Sequence, residues 1–428
     1  MSGVFLQRAD DDAMVWGRHG PVRARELQLR ARELASRLEP HGYYVNACES
    51  RAAFMIGFLA ALERGATLLL PSQASAAASQ ALAQQYPDHG LLTDALVNGA
   101  LDENVPSKHS PPFVHAADAE HRAAAIVFTS GSTGAPQGHA KRWLSLVRTA
   151  ELACSRLIGA GHCNLVATMP SQHMYGFEAA IMMVLAGRCA VADGRPFFPR
   201  DIAETLATIP PPRALITTPA HLRACVGAQI ALPELTFILS ATAPLPDQLA
   251  VDAEALWHAP VREIYGCTEA GTMATRRTLD GDIWLPLPGT RFETANGAAR
   301  YCAPHLPEPV ELQDVLEPAG AGVRLIGRSS DLVKIAGKRA SLADLTQQLL
   351  GIDGVIDGVI FMPQPDGRCA ALVVAPGRSR EEILGALAQR VDAAFLPRPL
   401  RLVACLPRND SGKLPRDALL AALGENIS

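Results

Sequence analysis

No charge of one sign dominates this 428-residue chain. Its 39 Lys and Arg stand against 43 Asp and Glu, giving a net charge of −4 and a pI near 6.3. That balance supplies no field to draw nucleic acid or an anionic membrane. Paired cysteines are also missing: the nine cysteines are scattered, with no Cys-x-x-Cys and no nearby histidine pair. This argues against a zinc site and a disulfide framework and fits a reducing cytosol. The apolar stretch from Ala52 to Leu70 is interrupted by Glu63 and Arg64, so it reads as a core helix followed by a strand at 66–70 rather than a membrane span. The N-terminus carries Asp10, Asp11 and Asp12 where an export signal would need an apolar run, and a cytoplasmic location is expected. There is no internal repeat. There is also no Gly-Lys-Ser/Thr after a glycine-rich loop, which excludes the Walker A phosphate site.

What is present begins with length and apolar content. With 48% hydrophobic residues the chain can bury sizeable cores and should hold two or more domains. Short apolar runs alternate with amphipathic stretches at 66–70, 123–128, 165–169, 189–192, 214–217 and 237–239, which predicts an α/β architecture with largely parallel sheets. Phe128-Thr129-Ser130-Gly131-Ser132-Thr133-Gly134-Ala135-Pro136 follows one of these strands. Its glycines allow a sharp turn that presents N–H groups to an anion, and its hydroxyls add donors; the same composition also suits a plain flexible loop. A helix expected over 140–157 would aim its positive N-terminal dipole at a bound phosphate. The segment 74–85 reads as a surface helix. After Gly327 a smaller α+β unit starts, with helices expected over 342–350 and 380–395 and strands over 358–362 and 370–374.

Thr129 to Gly138 resembles the signature loop of the adenylate-forming superfamily, with Gln137 where that family usually carries lysine. Lys141 and Arg142 follow closely enough to supply the charge instead. Three further segments resemble family motifs in the right order: Tyr265-Gly266-Cys267-Thr268-Glu269, Gly327 to Arg339, and Leu406 to Arg416. The resemblance implies a large N-terminal domain, residues 1–327, holding nucleotide and acid pockets, and a small mobile lid, residues 328–428. It implies ATP and Mg²⁺ as cofactors. The region ahead of the first motif is shorter than in typical members.

By that resemblance Thr129, Ser130, Gly131, Ser132, Thr133 and Gly134 cradle the phosphates, Tyr265 walls the adenine, and Thr268 donates on the phosphate side. Glu269 holds Mg²⁺, since a carboxylate is a hard ligand for a hard ion. Asp314, thirteen positions before Gly327, is expected on the ribose hydroxyls although Leu312-Gln313 replaces the usual Thr-Gly; Arg328 adds a second contact. Lys413 is expected to stabilise charge building between the attacking carboxylate and the α-phosphate. Lys334 and Gly337 belong to the face that the lid presents for thiol attack, with the hinge near Ser330. His173, in Pro170-x-x-His173-x-x-Gly176, is expected to gate an acid pocket lined by Tyr175, Gly176, Phe177, Ser240, Ala241 and Gly266, whose small and aromatic residues suit a compact acid.

The shortened N-terminal region and the variant run from Ser132 to Trp143 resemble the compact ligases of aryl polyene and xanthomonadin pigment synthesis. That implies 4-hydroxybenzoate as acid and an acyl carrier protein as acceptor. An aryl- or acyl-CoA synthetase and a degenerate adenylate-binding regulatory module are the alternatives.

Overall fold

The helix Arg51–Glu63 is apolar on every side, and all of it except Glu63 is buried. Such a helix needs partners all round. It finds them in the helix Ala24–Arg37 and, through Phe54 and Phe58, in the ring of Phe177. Ser50 caps its first turn by accepting a hydrogen bond from the Ala53 N–H. The computed structural model describes residues 8–71, 76–99, 122–130, 136–295, 298–328, 331–335, 337–364, 367–408 and 414–424.

Among the described residues two large sheets, with a small antiparallel one over Arg291–Ala295, Ala298–Cys302 and Val310–Leu312, make the large N-terminal domain. In the larger, the strands Val261–Cys267, Phe237–Ser240, Arg213–Thr217, Cys163–Ala167, Cys189–Ala192 and Ala13–Gly17 lie side by side and parallel. Cys163–Ala167, Cys189–Ala192 and Phe237–Ser240 are buried along their whole length, as parallel strands covered on both faces must be. Antiparallel strands extend both margins: Gly20–Arg23 on one, and on the other Gly271–Arg277, Ile283–Pro286, Gly322–Arg328 and Asp314–Ala319. The second sheet orders His89–Leu92, Tyr43–Asn46, Thr67–Leu70, Ala123–Ser130 and Pro136–Arg142, parallel except for the last pair.

That last strand corrects one expectation. The helix does not begin at Ala140. Residues 136–142 instead pair antiparallel with Ala123–Ser130, and the helix runs Trp143–Ile158. A strand therefore separates the phosphate-loop region from the helix, and the dipole of that helix does not follow directly on the loop. The helix Ala76–Gln85 falls where a surface helix was expected.

The smaller C-terminal domain has its own core, built on Val333, Leu345, Leu349, Ile360, Ala371, Ile383 and Leu387. Its strands Asp357–Phe361, Ala370–Val374 and Leu400–Leu402 form one sheet. The helix Leu342–Leu350 matches expectation. The next helix is shorter than expected, Arg380–Ala388, because Asp392 accepts from the Ala394 N–H and starts a separate 3₁₀ turn over Ala393–Phe395. Asp357 joins the two domains: Arg223 on the helix Pro219–Gly227 approaches it to 3.3 Å, and Arg408 grips it with Nε at 3.1 Å and Nη2 at 2.9 Å.

Candidate active site

Glu269 sits on the turn between the antiparallel strands Val261–Cys267 and Gly271–Arg277. Two glycines make that turn possible. A side chain at Gly266 would meet the Gly271 carbonyl oxygen at 2.5 Å, and Gly271 holds a φ of +81° where an added side chain would meet Glu178 Oε1. Thr268 shares the turn. The Glu269 carboxylate is about half exposed, and His139 Nε2 lies 3.7 Å from its Oε1. The same histidine nitrogen is 3.2 Å from Thr129 Oγ1. Burial lowers the His139 pKa against the opposing pull of Glu269.

This donor set fits Mg²⁺. The ion takes one or two carboxylates from a protein and completes its shell with phosphate oxygens and water. Glu269 offers one exposed carboxylate, with the Thr129 hydroxyl nearby. Among the described residues no group of three or more His, Cys, Asp or Glu forms an all-protein metal cage.

Tyr265 and Asp314, far apart in sequence, meet: the tyrosine hydroxyl donates to Asp314 Oδ2 at 2.7 Å. The Tyr265 ring is buried against Trp284 and Phe292. Asp314 pairs in register with Arg328 across the adjoining strands.

The Pro170–Gly176 segment is built around a close approach. A methyl group at Gly176 would lie 2.0 Å from the Pro170 carbonyl oxygen, so only glycine fits there. His173 caps the short helix Met174–Gly176, its Nδ1 accepting from the Tyr175 N–H at 3.2 Å. Tyr175 is buried and donates its hydroxyl to the Leu239 carbonyl at 2.9 Å. Phe177 was expected in the pocket wall. It is fully buried edge-on against Phe54 and Phe58, because the helix turns it toward the apolar Arg51–Glu63 helix. Ser240 ends a central parallel strand, fully buried, with no hydrogen-bond partner for its Oγ among the described residues; Ala241 beside it is also buried.

A cavity of about 330 Å³ opens beside Glu269, lined among others by Lys141, Ser145, Thr149, Met174 and Glu178. Lys141 is 5% exposed, and its Nζ donates to the Glu269 carbonyl oxygen at 2.5 Å. Glu178 accepts from Thr272 N at 2.9 Å and Thr272 Oγ1 at 2.8 Å. Burial lowers the Lys141 pKa and pushes Glu178 up to about 7. Neither role was read from the sequence. The signals were there: a glutamate in the apolar run 177–185, and a lysine on the same strand face as His139.

Lys334 is exposed on the strand Leu332–Ile335, and Gly337 takes a φ of +79° in the turn that follows. Gly131, Ser132, Thr133, Gly134, Ser330 and Lys413 lie outside the described residues, as do the side chains of Ser130 and Arg328.

With this geometry in place, comparison with known proteins is informative. A family described as "AMP-binding enzyme" matches residues 71–307, more than half of the chain. A 4-coumarate–CoA ligase of Rhodobacter capsulatus is 29% identical over 307 residues, covering 68% of this chain and 74% of that protein. A probable 2-succinylbenzoate–CoA ligase of Mycobacterium tuberculosis is 26% identical, covering 69% and 84%. In fold, the chain is similar to the O-succinylbenzoate coenzyme A synthetase of Bacillus subtilis solved with AMP. The TM-score is 0.80 at 17% identity, with 96% of each chain covered.

Proposed function

The chain belongs to the AMP-binding enzyme family and is an AMP-forming acid–thiol ligase, and we propose that the acid it activates is aromatic and that coenzyme A is the thiol acceptor. The relatives named as 4-coumarate– and 2-succinylbenzoate–CoA ligases support both choices. They favour coenzyme A over the carrier-protein thiol expected from the sequence, and 4-hydroxybenzoate stays the first acid to try.

The observation that carries the adenylation step is the Glu269 turn, which brings a half-exposed carboxylate beside His139, itself hydrogen-bonded to Thr129, on the hairpin that encloses the phosphate-loop region. In the first half-reaction a carboxylate oxygen of the acid attacks the α-phosphorus of ATP, and the bond to pyrophosphate breaks. Glu269 would hold Mg²⁺, whose charge would offset that of the phosphates when bound. Tyr265 and Asp314 orient the nucleoside, the aspartate offering two oxygens to the two ribose hydroxyls. Lys413 supplies the cation between the two approaching anions. In the second half-reaction a thiolate attacks the acyl carbon and AMP leaves, with the 331–339 hairpin, including Lys334, turned to the site. On this reading the domain boundary lies at 327/328 and the small domain is the moving part.

Acid-dependent ATP–pyrophosphate exchange across benzoates, cinnamates and fatty acids, with Mg²⁺ present, tests the first step. Exchange confined to one or a few aromatic acids supports the reading, and exchange with fatty acids alone overturns it. ATP binding with no exchange for any acid makes the regulatory module the better account. Thioester formation with coenzyme A against a phosphopantetheinylated carrier protein then decides the acceptor.

A further inference from the structure

The strand Pro136–Arg142 carries an alternation that the family resemblance does not account for. Successive side chains on a strand point to opposite faces, so Gln137, His139 and Lys141 share one. Along that face exposure falls steadily: Gln137 is exposed, His139 is half-buried and Lys141 is buried. Glu269 lies against it, its carboxylate at His139 and its backbone carbonyl at Lys141. Arg142, on the opposite face, is exposed. The cation missing at Gln137 thus reappears four residues on, beneath the metal-holding turn.

Glu178 reaches the same turn two to three residues further along, at Gly271 and Thr272. It accepts both the backbone N–H and the hydroxyl of Thr272, and its Oε1 fills the space that a side chain at Gly271 would need, 2.1 Å away. The turn is therefore gripped by the buried Lys141 side chain at Glu269 and by the buried Glu178 carboxyl group at Thr272. Each charge favours the ionised form of the other. Two buried groups of opposite sign are a poor way to add stability, because well-packed apolar residues usually do as well. Their value lies in direction: both bonds end on the backbone of one short turn.

We infer that Lys141 and Glu178 are positioning residues for Glu269, clamping the Gly266–Thr272 turn so that its carboxylate faces Thr129 and His139. This rests on the reading of Glu269 as the Mg²⁺-holding group. Neither side chain needs to touch ATP or acid; each acts through the turn.

The test uses the full-length enzyme with Lys141→Met, Lys141→Arg and Glu178→Gln. The first readout is hydrogen exchange across 266–272 in the unliganded protein, which needs no catalysis. The second is the Mg²⁺ concentration for half-maximal ATP–pyrophosphate exchange, set against kcat. Lys141→Met should speed exchange of the turn amides about tenfold and raise the Mg²⁺ requirement by a similar factor, with kcat at saturating Mg²⁺ much less affected. Lys141→Arg should recover most of both effects. Unchanged turn exchange and an unchanged Mg²⁺ requirement in folded Lys141→Met overturn the proposal. If that variant does not fold, Glu178→Gln, close in shape to the native side chain, carries the same test with the same two outcomes. Glu269→Gln separates the two readings. If it leaves the Mg²⁺ requirement unchanged, the metal-holding reading fails, whereas the clamp still stands or falls on hydrogen exchange.

Discussion

Gly176→Ala is the sharpest test of how the Pro170–Gly176 segment is built. Gly176 has φ −65° and ψ −38°, ordinary helical values, so the substitution creates no backbone strain of its own. It places a methyl group 2.0 Å from the Pro170 carbonyl oxygen, 2.9 Å from its carbon and 3.3 Å from the Met169 side chain. Because the nearest atoms are backbone, no side chain can rotate away, and the segment must open by about 1.5 Å to reach ordinary contact distances. Overpacking of this kind costs about 1–3 kcal/mol. Alanine recovers up to about 1 kcal/mol through its helix propensity, so a net loss near 2 kcal/mol is expected when the clash sits at the upper end of that range. At roughly 2–4 °C per kcal/mol for a domain of moderate size, the melting temperature should fall by about 4–8 °C. Opening the segment also moves the His173 cap and Tyr175, and a 1 Å displacement near a reacting centre can lower the rate about 10²-fold. Thermal unfolding with ATP–pyrophosphate exchange reads both effects. Gly227→Ala is the control, since nothing lies within 4 Å of its added methyl group, and it should be neutral or slightly stabilising. A Gly176→Ala enzyme with the native melting temperature and full exchange would refute the close-approach argument.

Ser240→Ala should raise the melting temperature of the free enzyme and weaken acid binding, because the unpartnered buried Oγ costs about 1–3 kcal/mol until a ligand satisfies it; calorimetry on free and acid-bound protein measures both. Lys413→Ala should abolish pyrophosphate exchange yet still transfer the acyl group from supplied adenylate to thiol, and Lys334→Ala should do the reverse; loss of both steps together in either variant contradicts the two-face mechanism. Burial lowers the pKa of His221 and of His305, so acidification protonates the unfolded chain first. The stability they contribute is full above about pH 6.5 and lost as pH falls below it, by up to about 1.4 kcal/mol per pH unit for each proton taken up. Urea titrations from pH 7.5 to 5 should show this slope, shallower in His221→Gln.

The parallel strands were legible because buried strands are short, apolar and bounded by turn residues, as at Cys189–Ala192 and Phe237–Ser240. The start of the Trp143–Ile158 helix was not. Ala140, Lys141 and Arg142 are good helix formers, but their pairing with Ala123–Ile126 overrides that preference. The Pro170–Gly176 segment was recognisable by its spacing, whereas the reason for its glycine appears only once the helix is packed on the Pro170 carbonyl. The Tyr265–Asp314 bond spans 49 positions, a separation that no local pattern encodes. The packing of Phe177 against Phe54 and Phe58 was hidden for a related reason: both partner rings lie more than 100 residues away in sequence.

The edge of the large sheet sets a condition on how the protein is made. Val15 pairs with Val191, about 175 residues later, and Gly20–Arg23 attaches to the sheet only through Ala13–Gly17. Chains leave the ribosome at about 5–20 residues per second, so this early hairpin waits roughly 10–35 s before the strand it needs has been synthesised. Through that interval Met14 and Val15, both fully buried at the end, have no sheet to join. Slowing translation between residues 25 and 190 should therefore raise the share of chains captured by holdase chaperones, while slowing it after residue 200 should not.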